Sequence, residues 1–232
     1  MRLALALLAL LAGGTAQAAD RRIPVDPDRP PWNAVAKVQT NTAQHCTGVL
    51  IASAVVLTAA HCVYNPLTRA LLQPVSLHVL FGYRRDQYRW HRGVVHVAVG
   101  PGFDGTLRQA QPSDWALLGL AQAVPLPPLP IARDAVRSGT AVALAGYNQD
   151  RAQLLLADPL CHVLRVQRQS GGLAFVLHDC EATRGTSGAP LLMRLGDGWA
   201  VAAINIAAGP NVNLALAVPP LSAEPSAATL PR

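Results

Sequence analysis

The length of the apolar runs narrows the possible folds more than any other feature of this chain. Past a proline-rich entry over 23–31, short apolar or alternating stretches recur with turn residues between them. A first set holds AVAKVQT (34–40), SLHVLFGY (76–83), GVVHVAV (93–99) and DWALLGL (114–120). A second holds AVALAGY (141–147), CHVLRVQ (161–167), LAFVLHDC (173–180), WAVAAINIA (199–207) and NLALAV (213–218). Runs of this length suit strands better than helices, and their spacing points to an all-β sandwich or barrel. Between the sets, AVPLPPLPIARDAVRSG (123–139) is rich in proline, which cannot donate to a sheet ladder. It reads as a linker between two β-domains of comparable size.

Composition supports a packed protein. Of 232 residues, 51% are hydrophobic and only 14% charged, which excludes a disordered chain. The formal net charge is +6, and Lys37 is the only lysine, so the positive charge is almost all arginine. Such a surface bears on solubility and encounter with acidic partners, not on fold.

The start of the chain reads as an export signal. Arg2 precedes the unbroken apolar run Leu3 to Ala12, and Ala16-Gln17-Ala18 has the small-x-small pattern of a signal peptidase site. The run is too short to span a bilayer comfortably, so a soluble secreted or periplasmic protein with no membrane span is expected. In an oxidising compartment the four cysteines read as disulfides, with three pairings open; Cys46 with Cys62 and Cys161 with Cys180 is the most local choice. Three of the four have an adjacent histidine (His45, His61, His162), yet no C-x-x-C or H-x-x-x-H spacing is present for a metal site. Neighbouring residues on a strand face opposite ways, so no metal and no cofactor is expected.

Three motifs carry chemistry: CTGVLIASAVVLTAAHC (46–62), SDWALLGL (113–120) and RGTSGAPLL (184–192). Together and in this order they resemble the chymotrypsin-like (trypsin-fold) serine peptidases, and most the short bacterial branch that includes glutamyl endopeptidases. The resemblance extends over about residues 31–218. It implies two six-stranded antiparallel β-barrels with the active site in the cleft between them. It further implies an acyl-enzyme mechanism on a protein or peptide substrate, with His61 as base, Asp114 as its orienting acid and Ser187 as nucleophile. The chemistry matches the residue types. A serine hydroxyl attacks a carbonyl only when a neutral imidazole takes its proton, and a carboxylate on the other ring nitrogen fixes the tautomer. Gly185 and Gly188 flank Ser187 and allow a tight turn, in which the Gly185 and Ser187 N–H groups would form the oxyanion hole. A Cys46–Cys62 bridge would hold the histidine's turn against a preceding strand.

Residue order excludes other hydrolase folds. An α/β-hydrolase needs a histidine after its serine, and none follows Ser187; a subtilisin-like order needs an aspartate before His61, where only Asp20, Asp26 and Asp28 stand, in the N-terminal segment. Two departures from the trypsin-like pattern matter. Thr186 stands where those enzymes keep the aspartate that receives a new N-terminus on zymogen cleavage. RRIP (21–24) looks like an activation site, but without that acid the ion-pair switch should be absent. Specificity rests on Glu181, six residues before Ser187, which favours a basic side chain before the scissile bond. Asn205 lies near the place of the histidine of the glutamyl-specific branch, and Ala207 and Asn211 near positions where trypsin-like pockets use glycine.

The expected organisation is a signal peptide over 1–18, a proline-rich segment over 19–30, a first barrel over 31–122, the linker over 123–139, a second barrel over 140–218 and a tail over 219–232. A monomer is expected. The alternative is a catalytically idle homologue that binds a protein or a polyanion. The polyanion variant would use YRRDQYRWHR (83–92), where arginines interleave with aromatics, although a solvated hairpin is the simpler reading and no nucleic-acid partner is expected.

Overall fold

The structure is a computed structural model and describes residues 20–42, 44–132, 136–209 and 212–217. The expected signal peptide and C-terminal tail lie outside the described residues, as does Asn211.

The chain forms two barrels. Strand β1 (Ile23–Pro24) belongs to the N-terminal segment. β2 (Val35–Thr40), β3 (His45–Ala52), β4 (Val55–Thr58), β7 (Leu77–Phe81), β8 (Trp90–Val99) and β9 (Ala116–Leu120) close in the order β2-β3-β4-β9-β8-β7. A two-stranded ribbon, β5 (Tyr64–Asn65) and β6 (Ala70–Leu71), stands apart from them. The second barrel contains β10 (Ala141–Gly146), β11 (Leu156–Arg168), β12 (Ala174–His178), β13 (Pro190–Leu195), β14 (Gly198–Ala207) and β15 (Asn213–Ala217). They pair in the order β11-β10-β13-β14-β15-β12, and β11 with β12 completes the ring. All of these pairings are antiparallel. The expected fold of two six-stranded antiparallel barrels is therefore the one observed, with β1 added as an outer strand on β11.

Closure explains the short strands. A closed sheet has no free edge, so every backbone ladder is satisfied without long strands or covering helices. Leu50, Leu57, Leu77, Phe81 and Leu118 fill the first barrel, and Val142, Leu144, Val163, Val176 and Leu191 the second. Pro159 sits inside β11 where the register with β10 shifts between Val142 and Leu144, so its missing N–H falls at a bulge.

A third cluster, with Val35, Leu80, Tyr83, Ala145 and Tyr147, joins the two barrels. Tyr147 is fully buried, meets the Tyr83 ring edge-on at 5.7 Å and donates its hydroxyl to the Tyr83 carbonyl at 3.1 Å. Lys37 lies in the same seam, its ammonium 4.0 Å from the centre of the Tyr83 ring and donating to the Ala152 carbonyl at 3.2 Å. These contacts fix one barrel against the other and so set the width of the cleft between them.

Candidate active site

His61 lies in a short 3-10 turn, Ala60–Val63, that follows directly from β4. The strand leading in is entirely buried, and the turn is anchored again by the Cys46–Cys62 disulfide. Asp114 comes from the turn ahead of β9, the strand paired with β4, so sheet register brings the two residues together. One carboxylate oxygen accepts the His61 backbone N–H at 2.9 Å and the other faces Nδ1 at 2.8 Å. That double attachment holds both the backbone and the ring, and it assigns the proton on Nδ1 so that Nε2 carries the lone pair. Asp114 is mostly buried, whereas the His61 side chain is 38% exposed and lines the cleft.

Ser187 lies in the turn between β12 and β13, on the other barrel, and lines the same cleft. No hydrogen bond joins Ser187 to His61, and the two side chains meet only as walls of one cleft. Two glycines make the turn possible. Gly185 has φ +92°, and a Cβ there would lie 2.3 Å from the Tyr147 carbonyl oxygen. Gly188 has φ +77°, and a Cβ there would lie 2.2 Å from both the Thr47 carbonyl oxygen and the Thr58 hydroxyl.

The directions of the Gly185 and Ser187 N–H groups follow from their own peptide planes. In a trans peptide the C=O and N–H point opposite ways. The Arg184 carbonyl accepts the Gln149 N–H at 2.7 Å, so the Gly185 N–H of that unit points away from Gln149. The Thr186 carbonyl accepts the Ala189 N–H at 2.9 Å and the Asn205 Nδ2 at 3.3 Å, which turns the Ser187 N–H the other way. Among the described residues neither N–H meets an acceptor of the protein. Thr47 adds a brace from the first barrel. Its N–H donates to the Ser187 carbonyl at 2.8 Å and its hydroxyl to the Gly185 carbonyl at 2.8 Å.

The cleft has a volume of about 540 Å³ and brings together His61, Ser187, Gly185, His45, Arg184 and the Cys46–Cys62 bridge. Glu181 and Asn205 are not on its walls. Glu181 is half-buried beside the second disulfide, Cys161–Cys180, and donates its N–H to Asp158 at 2.9 Å. Asn205 is turned to the interior. It is 1% exposed and lies behind the Ser187 turn, where its Oδ1 faces His178 Nε2 at 3.1 Å and its Nδ2 faces Thr186. The physical reason is His178, a fully buried imidazole whose ring needs a polar partner in an apolar barrel. Burial pulls the His178 pKa down to about 4 against the opposing hydrogen bond from Asn205, so the ring is neutral and donates through Nε2. Ala207 ends β14, exposed to solvent.

Among the described residues, two groups of side chains have metal-like proximity, Cys46 with His61 and Cys62, and Cys161 with Asp179 and Cys180. In both, the sulfurs are joined as disulfides, which leaves one conventional ligand in each group. The arginine-rich stretch 83–92 is partly neutralised: Arg84 pairs with Asp28 at 2.8 Å, Arg89 approaches Asp28 at 3.7 Å, and Arg92 donates to the Ala123 carbonyl.

Sequence reasoning missed Thr47, Gln149 and His178. Thr47 stands next to Cys46 in the first motif and could have been noticed there. Gln149 and His178 act through backbone direction and burial, for which the chain offers no local signal.

The family model of the trypsin-like peptidase domain matches residues 46–204. A solved structure described as Glu endopeptidase in complex with MPD has a TM-score of 0.72 at 19% identity, covering 87% of this chain and 93% of that one. At that identity the likeness concerns the fold. No curated protein matches the chain. The family match spans well over half of the chain, from the first cysteine of the histidine motif past the serine turn, and by it this protein belongs to the trypsin-like peptidases and is a serine endopeptidase.

Proposed function

We propose that the protein is an exported endopeptidase that works through His61, Asp114 and Ser187 and prefers a basic residue before the scissile bond. The observation that carries this reading is the attachment of His61 to both oxygens of Asp114 on one barrel, facing a cleft shared with Ser187 on the other. The Ser187 hydroxyl attacks the scissile carbonyl while His61 Nε2 takes its proton, and Asp114 stabilises the imidazolium. The carbonyl oxygen, now negative, accepts hydrogen bonds from the Gly185 and Ser187 N–H groups, a contribution of roughly 3 kcal/mol per donor. His61 then hands its proton to the departing amine, and water repeats the sequence on the acyl-enzyme. Export fits the two disulfides, which persist in oxidising compartments. The basic preference rests on Glu181.

The test is a peptidase assay on Ser187→Ala and His61→Ala beside wild type, with labelling by an active-site phosphonate. Each variant should lose activity by several orders of magnitude and keep its circular dichroism spectrum, because base and nucleophile act as a unit. Substantial turnover by purified Ser187→Ala would remove the assignment.

A further inference from the structure

The dipeptide Arg21-Arg22 before Ile23 looks like a cleavage site, yet the structure gives Arg22 other work. Ile23 and Pro24 pair with Ala157 and Leu156 as an outer strand of the second barrel. This carries the Arg22 side chain inward to 8% exposure. All five of its N–H donors are used. Nε and Nη2 bond both oxygens of Asp20, each at 2.9 Å, while Nη1 and Nη2 bond those of Asp150 at 3.0 and 2.7 Å. Nη1 also donates to Asn148 Oδ1 at 2.8 Å. Burial opposes the charge, and the two carboxylates more than offset it, so the guanidinium stays charged. Arg151 supplies a second positive group on Asp20.

The turn that Arg22 grips is the one that aims an oxyanion donor. Asn148 and Asp150 flank Gln149, whose N–H holds the Arg184 carbonyl and thereby directs the Gly185 N–H. The Thr183 hydroxyl lies 3.2 Å from each of the same two acceptors and donates its one proton among them, which ties the chain just ahead of Arg184 to the Arg22 cluster. A continuous series of charge-assisted and backbone hydrogen bonds thus runs from the N-terminal arm to the Gly185 peptide.

Resting on the reading of the site given above, we propose that Arg22 is a positioning residue for the Gly185 N–H and that the intact N-terminal arm keeps the peptidase active. Thr186 offers no carboxylate to a new N-terminus, so hydrolysis of the Arg22–Ile23 bond has no ion pair to gain. Water added across that bond would leave a carboxylate on Arg22, whose backbone N–H already bonds Asp20, and an ammonium on Ile23, which the cut releases from the Arg22 side of the clamp. The like charges of the new carboxylate and Asp20 would loosen the clamp. Cleavage at this place is then an off-switch, opposite in sense to activation.

The experiment uses the full chain with Arg22→Gln, Arg22→Lys and Asn148→Ala, each compared with active wild type. Three quantities are read: kcat, KM and the affinity of a peptide aldehyde whose adduct oxygen occupies the place of the developing oxyanion. Arg22→Gln should lower kcat by about tenfold or more, a fraction of the loss known for removing such a donor outright. KM should change by less than about threefold, and aldehyde affinity should fall by the same factor as kcat/KM. Arg22→Lys should fall between, since one ammonium cannot fork two carboxylates, and it carries the test if the glutamine variant does not fold. Asn148→Ala removes one acceptor of Arg22 while leaving the sequence of the arm unchanged, and should show the same signature. Unchanged kcat and aldehyde affinity in a folded Arg22→Gln chain would overturn the proposal. So would mass spectrometry showing activity gained as the Arg22–Ile23 bond is lost. Wild type without activity or Ser187 labelling would instead remove the underlying assignment.

Discussion

His178 illustrates how much a single buried side chain can decide. It is fully buried at the end of β12, its Nε2 bonded to Asn205 and its Nδ1 without a partner among the described residues. Through Asn205 it reaches Thr186 and hence the peptide that carries the Ser187 N–H. Because burial lowers its pKa from 6.5 to about 4, protons bind the unfolded chain more readily than the folded one in that interval. The contribution to stability is therefore complete above pH 6.5 and is lost as pH falls toward 4, by about 3 kcal/mol in all. Urea unfolding at a series of pH values should show wild type losing this amount. A His178→Gln chain, which keeps a donor for Asn205 and cannot titrate, should lack that part of the slope. Identical slopes in the two would mean that burial does not lower the His178 pKa in the fold.

At the level of elements, the turn after β4 depends on its disulfide. Cys46 lies on β3 and Cys62 in the 3-10 turn, at a sequence separation of 16. Closing a loop of that size removes unfolded-state entropy worth about 3 kcal/mol. The paired substitution Cys46→Ser with Cys62→Ser should lower unfolding free energy by about that much. It should also lower kcat, because His61 lies in the short stretch between the bridge and β4. A wild-type kcat in the double variant would show that Asp114 alone is enough to hold the base. The strands were unevenly legible. Short apolar runs such as AVAKVQT and WAVAAINIA announce β2 and β14 almost to the residue. The boundary between β3 and β4 is hidden, because Ser53 is the only polar residue in the turn of that apolar stretch. β13 begins at Pro190, a residue that ordinarily argues against a strand. Its N–H is not required there because the strand starts at that residue.

Across the whole molecule, the proposed basic preference rests on Glu181, which sits where the N-terminal arm and the second barrel meet. Arg21 bonds Asp158 at 2.9 Å, Asp158 accepts the Glu181 N–H, and the Glu181 charge acts in turn on Arg21. A substrate guanidinium or ammonium approaching Glu181 would share it with Arg21. We expect Glu181→Gln to weaken cleavage after Arg or Lys far more than cleavage after uncharged residues, because only the former lose an ion pair. The measurement is the ratio of the two kcat/KM values in wild type and variant. A constant ratio would place Glu181 outside the pocket and leave the triad assignment untouched. The sequence by itself determined the all-β class, the order of His61, Asp114 and Ser187, and the glycines of the serine turn, since strand period, motif order and positive φ are local properties. Only the tertiary structure decided that Asn205 serves His178 and Thr186, that Thr47 braces the turn from the opposite barrel, and that Arg22 grips the loop ahead of Gly185. Those roles depend on which distant side chains burial forces together, and a buried polar group takes whatever partner packing brings within reach.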